Sequence, residues 1–232
     1  MSQSSAPKAS ARDTAKRAKA DAYRRVIADA AQKVFAEHGY EAAKIQDIAQ
    51  EAGLSLGTLY TVFPGKAEIY SAIQREHGQA VLLEISSAVA RMHGELEAAL
   101  AGIDAYVRCL VARPHYLRML LREGLSWTQR SWLRTGEEIA TWERGMTLAV
   151  SLLRAGIERG FLHGDNPPDV LLKMIVAAQQ VQLADWLDRG ASPHEVEALI
   201  GRMQTYFRRA FVHRSEEART SDNARGRQLA AH

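Results

Sequence analysis

Five positions on one short stretch carry groups suited to touching nucleic acid: Ser55, Gly57, Thr58, Tyr60 and Thr61. Short hydroxyls such as Thr58 and Thr61 can meet base edges or phosphate oxygens, and a phenol such as Tyr60 suits a phosphate or a thymine methyl. Gly57 lets the backbone come close to a phosphate, where free N–H groups at a helix start favour an anion. Each has a plainer alternative. Tyr60 could pack in the core beside Phe63, Gly57 could merely avoid a clash with a neighbouring helix, and Lys66 just beyond is either a phosphate anchor or a solvated charge. Catalysis has no such foothold: no His/Asp/Glu group has metal-ligand spacing and no nucleophile motif occurs, so neither an enzyme, a metal nor a cofactor is expected.

Two short helices must hold these groups. Ile45, Ile48, Ala49 and Ala52 form one apolar face at helical spacing, and Gly53 can take the positive φ that ends such a helix. Ser55 is the natural N-cap of a second helix, with Leu54 and Leu59 placed as a hydrophobic staple across its first turn. Pro64 stops that helix after roughly two turns. A helix so short is marginal by itself, so it reads as an element presented to a partner, and its geometry suits a DNA major groove.

The charge distribution agrees. Residues 1–66 hold ten Lys/Arg against seven Asp/Glu, while the remainder holds 20 of each, so the whole net charge of +3 lies at the helix-turn-helix end. A basic excess there is the footprint of a phosphate-binding segment. The single cysteine, Cys109, excludes an internal disulfide and fits a reducing cytoplasm; set in an apolar run, it reads as a small buried hydrophobe. No run approaches the roughly 18 apolar residues of a membrane helix, and the polar N-terminus has no secretory h-region, so a cytoplasmic protein is expected.

The rest of the chain is read as helix. Residues 1–20 lack apolar periodicity and are expected to be a disordered basic arm. A helix from about Asp21 to His38 turns Tyr23, Val26, Ile27, Ala30, Val34 and Phe35 inward and stops at Gly39. A long helix opens near Lys66, and helices follow over about 95–112, 114–123, 130–160, 167–189 and 193–213, with 214–232 a flexible tail. No alternating pattern suggests a strand. The expected fold is all-α: a helix-turn-helix domain over 21–66 and a larger helical domain over 67–213.

The run from Val26 to Ile73 resembles the DNA-binding domain of TetR-type transcriptional regulators. The resemblance rests on Phe35-Ala36-Glu37-His38-Gly39-Tyr40, Asp47-Ile48-Ala49, Ala52-Gly53-Leu54-Ser55, Gly57-Thr58-Leu59-Tyr60, Phe63-Pro64-Gly65-Lys66 and Glu68-Ile69. It implies that Ser55, Gly57, Thr58, Tyr60 and Thr61 face an operator, and it favours Lys66 as a phosphate anchor. Three positions depart from the pattern. Ala43 stands where the family usually has a capping Thr, leaving Lys44 or Gln46 to supply a phosphate contact; Leu56 replaces a common basic residue, and Val62 a common aromatic or His.

One recognition helix with few polar contacts binds weakly, so a two-fold homodimer reading paired half-sites about 34–36 Å apart is the economical arrangement. Met174, Ile175, Ala178, Val196, Leu199, Met203 and Phe207, on the last two helices, are the candidate dimer face, with intramolecular core as the alternative. By resemblance, the middle helices surround a pocket for a small hydrophobic effector, and Tyr106, Met119, Trp127, Trp142, Met146 and Gln179 are its candidate lining. The resulting expectation is a homodimeric repressor that leaves double-stranded operator DNA when the effector binds. The alternative is an effector-free or protein-partnered DNA-binding dimer.

Overall fold

The structure, a computed structural model, describes residues 11–122, 124 and 136–213; expectations for 1–10 and for the tail 214–232 fall outside these. The elements among the described residues are all helices, with no strand among them and a single isolated backbone bridge between Leu162 and Val212. The chain divides into two compact units, Met1–Gln74 and Arg75–His232. The boundary falls inside a helix, eight residues beyond the expected end of the DNA-binding domain at Lys66.

The first unit is built from α1 (Ala11–Ala42), α2 (Ile45–Glu51), α3 (Leu56–Val62) and the start of α4 (Lys66–Ala90). α1 begins ten residues before the expected start. Residues 11–20 are mostly Ala, Lys and Arg, strong helix formers. Their intrinsic preference makes the helix, and the missing apolar stripe goes with the exposure of residues 13–19. Gly39 breaks α1 with φ 78° and ψ 164°, a conformation that favours glycine. The inner face of α1 runs through Ile27, Ala30, Ala31, Val34 and Phe35, whereas Val26, expected inside, is exposed.

α2 ends in a Schellman turn. Leu54 N–H donates to Ala49 C=O at 2.9 Å and Gly53 N–H to Gln50 C=O at 3.0 Å, with Gly53 at φ 64°. Its start is bare, and the cap lies one residue later than the family pattern implied. Lys44 is the N-cap, with no side-chain hydrogen bond, and Ala43 is buried in the core. α1 packs on both short helices, and Ile48, Leu59, Phe63, Ile69 and Ile73 complete the core beneath them.

The second unit holds the rest of α4, then α5 (Glu95–Val111), α6 (Pro114–Arg122), α7 (Gly136–Glu158), α8 (Pro168–Asp188) and, after a 3-10 turn at Pro193–Glu195, α9 (Val196–Phe211). Pro114 and Pro168 open their helices, where the lost N–H costs nothing. α5 packs against α6 and α9, and α8 against α7 and α9. Leu110, Leu117, Met119, Leu183, Leu199 and Met203 are fully buried between them. The end of α9 is tied to the α7–α8 connection by paired bonds, His163 N–H to Phe211 C=O and His213 N–H to Phe161 C=O, both 3.0 Å.

Candidate nucleic-acid interface

Seven residues make α3, and they differ by exposure, with Thr58 and Val62 half-buried between the extremes. Leu59 is 0% exposed and Phe63, its C-cap, 3%, whereas Ser55, Leu56, Gly57, Tyr60 and Thr61 face solvent and Tyr60 is 51% exposed. Two apolar side chains therefore anchor the helix, and its remaining surface is free for a partner. The core alternative for Tyr60 is set aside: its neighbour Leu59 fills that place.

Capping fixes the start of α3. Thr58 N–H donates to Ser55 Oγ at 3.1 Å, and the Ser55 and Thr58 hydroxyls lie 2.9 Å apart. The Thr61 hydroxyl donates back to Thr58 C=O at 2.6 Å. These bonds hold the three hydroxyls in set positions at the exposed face and leave oxygen lone pairs to accept. At Gly57 an added Cβ would meet only Ser55 Oγ, at 3.9 Å. Among the described residues no neighbouring helix crowds this glycine, so a clash with one does not account for it.

Lys44 and Gln46 lie exposed at the bare start of α2. Lys66 is placed otherwise than expected. Its Nζ donates to the carbonyls of Tyr40 at 2.6 Å, Ala43 at 3.0 Å and Glu41 at 3.2 Å. An ammonium has three N–H groups, and all three are engaged within the chain. It is neither a free phosphate anchor nor a solvated charge. Two further cations among the described residues touch this segment: Lys33 pairs with Glu51 at the end of α2 at 2.7 Å, and the Arg24 guanidinium lies 5.1 Å from the centre of the Phe63 ring, at the end of α3. Sequence reasoning counted Arg24 only as part of the basic excess. Its partner is far away in sequence, and only folding brings the two together.

In the second unit the expected effector lining is only partly assembled. Met119 is buried, Met146 and Tyr106 are half-buried, and burial pushes the Tyr106 phenol above its ordinary range, against the pull of a Gln180 hydrogen bond. Gln179 is buried and lines a crevice with Ile175, Met203 and Phe207 that holds about 10 Å³, room for about one water. In this structure Gln179 faces a closed crevice rather than an open pocket. Trp127 lies outside the described residues, as does the side chain of Trp142.

The expected dimer face also divides. Ile175, Leu199, Met203 and Phe207 are buried inside the chain, Ala178 and Val196 are half-buried, and Met174 is 43% exposed. The strongest apolar stripe of α9 is used by its own chain, against α5 and α8. What remains outside is Val181, 70% exposed, Tyr206, 48% exposed, and the small residues Ala198, Gly201 and Thr205, which line a shallow groove with Arg202 and Arg209.

Known proteins share this arrangement. Residues 27–73 match the model for bacterial regulatory proteins of the tetR family. The HTH-type transcriptional repressor SCO4008 of Streptomyces coelicolor is 26% identical over 152 residues, covering 66% of this chain and 71% of the relative. Among solved structures, the ketosteroid transcriptional regulator KstR2 of Mycobacterium tuberculosis superposes with a TM-score of 0.67 at 19% identity, covering 82% of this chain and 95% of the other. The fatty acid degradation regulator FadR of Bacillus halodurans gives 0.64 at 22% identity, covering 79% and 93%. With a capped, outward-facing second helix and a Schellman turn before it, residues 27–73 form a DNA-binding domain of the tetR family type, and the chain as a whole has the fold of transcriptional regulators of that family.

Proposed function

We propose that the protein is a cytoplasmic repressor that binds operator DNA as a two-fold dimer and releases it when a small apolar molecule occupies the second unit. The observation that carries the reading is the division of α3, with Leu59 and Phe63 buried and Tyr60 half in solvent. Ser55, Gly57, Thr58, Tyr60 and Thr61 meet phosphates and base edges in the major groove, with Lys44 and Gln46 on the flanking backbone. The bare N-cap of α2 supports this placement, because its unpaired N–H groups and the Lys44 charge favour an anion together.

The second copy docks on the exposed side of α8 and α9, through Met174, Val181 and Tyr206. The small residues Ala198, Gly201 and Thr205 on the same side let a partner helix approach closely. An effector shifts the balance between a dimer that fits its half-sites and one that does not, a coupling typically worth about 1–3 kcal/mol. Two fold relatives are named for fatty acid degradation and for ketosteroid regulation; here Tyr106 and Gln180 supply the polar contacts of a mostly apolar site.

The test is capture of genomic fragments by the purified protein, followed by sequencing. Enrichment of a sequence with two-fold symmetry is expected, and Tyr60→Ala should weaken binding to it by about 1–3 kcal/mol while the oligomeric state stays that of the parent. Recovery of fragments without a shared sequence would overturn the operator reading.

A further inference from the structure

Lys66 opens α4, yet its side chain reaches back to the other end of the reading segment. The three carbonyls it bonds, those of Tyr40, Glu41 and Ala43, follow the break at Gly39, where a helix end leaves C=O groups without N–H partners. The same ammonium lies 4.5 Å from the centre of the Tyr40 ring. Tyr40 is fixed in turn, with ring centroids 4.8 Å from Tyr70 and 5.7 Å from Phe35. In sequence, α2 and α3 lie between Tyr40 and Lys66. The bond from Lys66 to Tyr40 thus closes a loop of chain that contains both helices of the reading motif.

We propose that Lys66 is a positioning residue for DNA recognition: it pins the end of α1 to the start of α4, so fixing the segment that presents α3, and it supplies no counter-charge to a phosphate. This rests on the operator-binding reading above, since a pinned segment matters only if α3 meets DNA. Two substitutions separate the pin from an anchor. Lys66→Met removes both the charge and the three bonds. Lys66→Arg keeps the charge, but a planar guanidinium fork cannot replace an ammonium seated among three carbonyls.

The experiment measures affinity of the full-length protein for a labelled duplex carrying the captured genomic fragment. It is run over a series of salt concentrations at about 10 °C below the onset of melting or lower. Melting temperatures are recorded for the same samples, and Lys44→Ala is the comparison for a true phosphate contact. Lys66→Met and Lys66→Arg should both bind about tenfold or more weakly. Both should keep the parent's slope of log affinity against log salt, and both should melt about 3–6 °C lower. Lys44→Ala should flatten that slope by about 0.9 for each phosphate it no longer neutralises. A Lys66→Arg variant that binds and melts like the parent overturns the pin, as does a Lys66→Met variant whose slope flattens as that of Lys44→Ala does. A parent protein that enriches no fragment sinks the operator reading, and the pin's role in recognition with it.

Discussion

Gly57 carries no side chain, and nothing among the described residues requires that. Alanine at this helical position should leave melting unchanged or raise stability by up to about 0.5–1 kcal/mol, since glycine costs that much in a helix. If the backbone must approach a phosphate there, Gly57→Ala will bind the captured fragment more weakly despite being at least as stable. Equal binding by parent and variant would remove Gly57 from the interface. His77 bears on stability in acid. Burial and the Arg113 charge push its imidazole down from 6.5 to about 4, and its ring stacks on Tyr116 at 4.2 Å. A base with a lowered folded pKa binds its proton more readily when unfolded. Stability is therefore intact above about pH 6.5 and falls as the pH drops from there towards 4. In His77→Phe, which keeps a ring against Tyr116, melting temperature should decline less over that window than in the parent. Matching declines would show that other groups set the acid response.

The short helices depend on their ends, and α2 has a bare one. Lys44→Thr would give it a capping hydroxyl and should add about 0.5–1 kcal/mol of stability, read as a higher melting temperature. The same change removes an exposed cation, so tighter folding should accompany weaker, less salt-sensitive DNA binding. A variant that gains stability and keeps its affinity would place Lys44 outside the interface. Legibility differed between elements for physical reasons. The Ser55 cap, the Gly53 turn and the stop at Gly39 are local, settled within a few residues, and the sequence shows them. The partners of Lys66 are backbone carbonyls 23 to 26 residues away, and a carbonyl leaves no mark on residue type. On α9 periodicity reveals the stripe of Leu199, Met203 and Phe207, but not whether the chain itself or a second copy covers it. The first ten residues of α1 carry no apolar pattern to read, because propensity alone makes them helical.

For the whole molecule, the surface that a second copy would occupy decides how two reading helices are spaced. Val181→Asp places a charge on a side chain already 70% exposed, so the monomer should fold as before. If α8 and α9 form the dimer contact, sedimentation should show association at least about tenfold weaker, and operator binding should fall with it. Unchanged association would move the contact to another face. The course of α4 bears on how the molecule can be divided. It runs from Lys66 to Ala90 without a break, past the boundary at Gln74. A fragment truncated at that boundary would leave the last turn of the helix with open carbonyls, fraying back towards Ile73 and Tyr70 and loosening the core they help to fill. The smallest free-standing DNA reader excised from this protein should keep at least a further turn or two of α4 beyond Gln74, so that the carbonyls around Ile73 and Tyr70 stay paired.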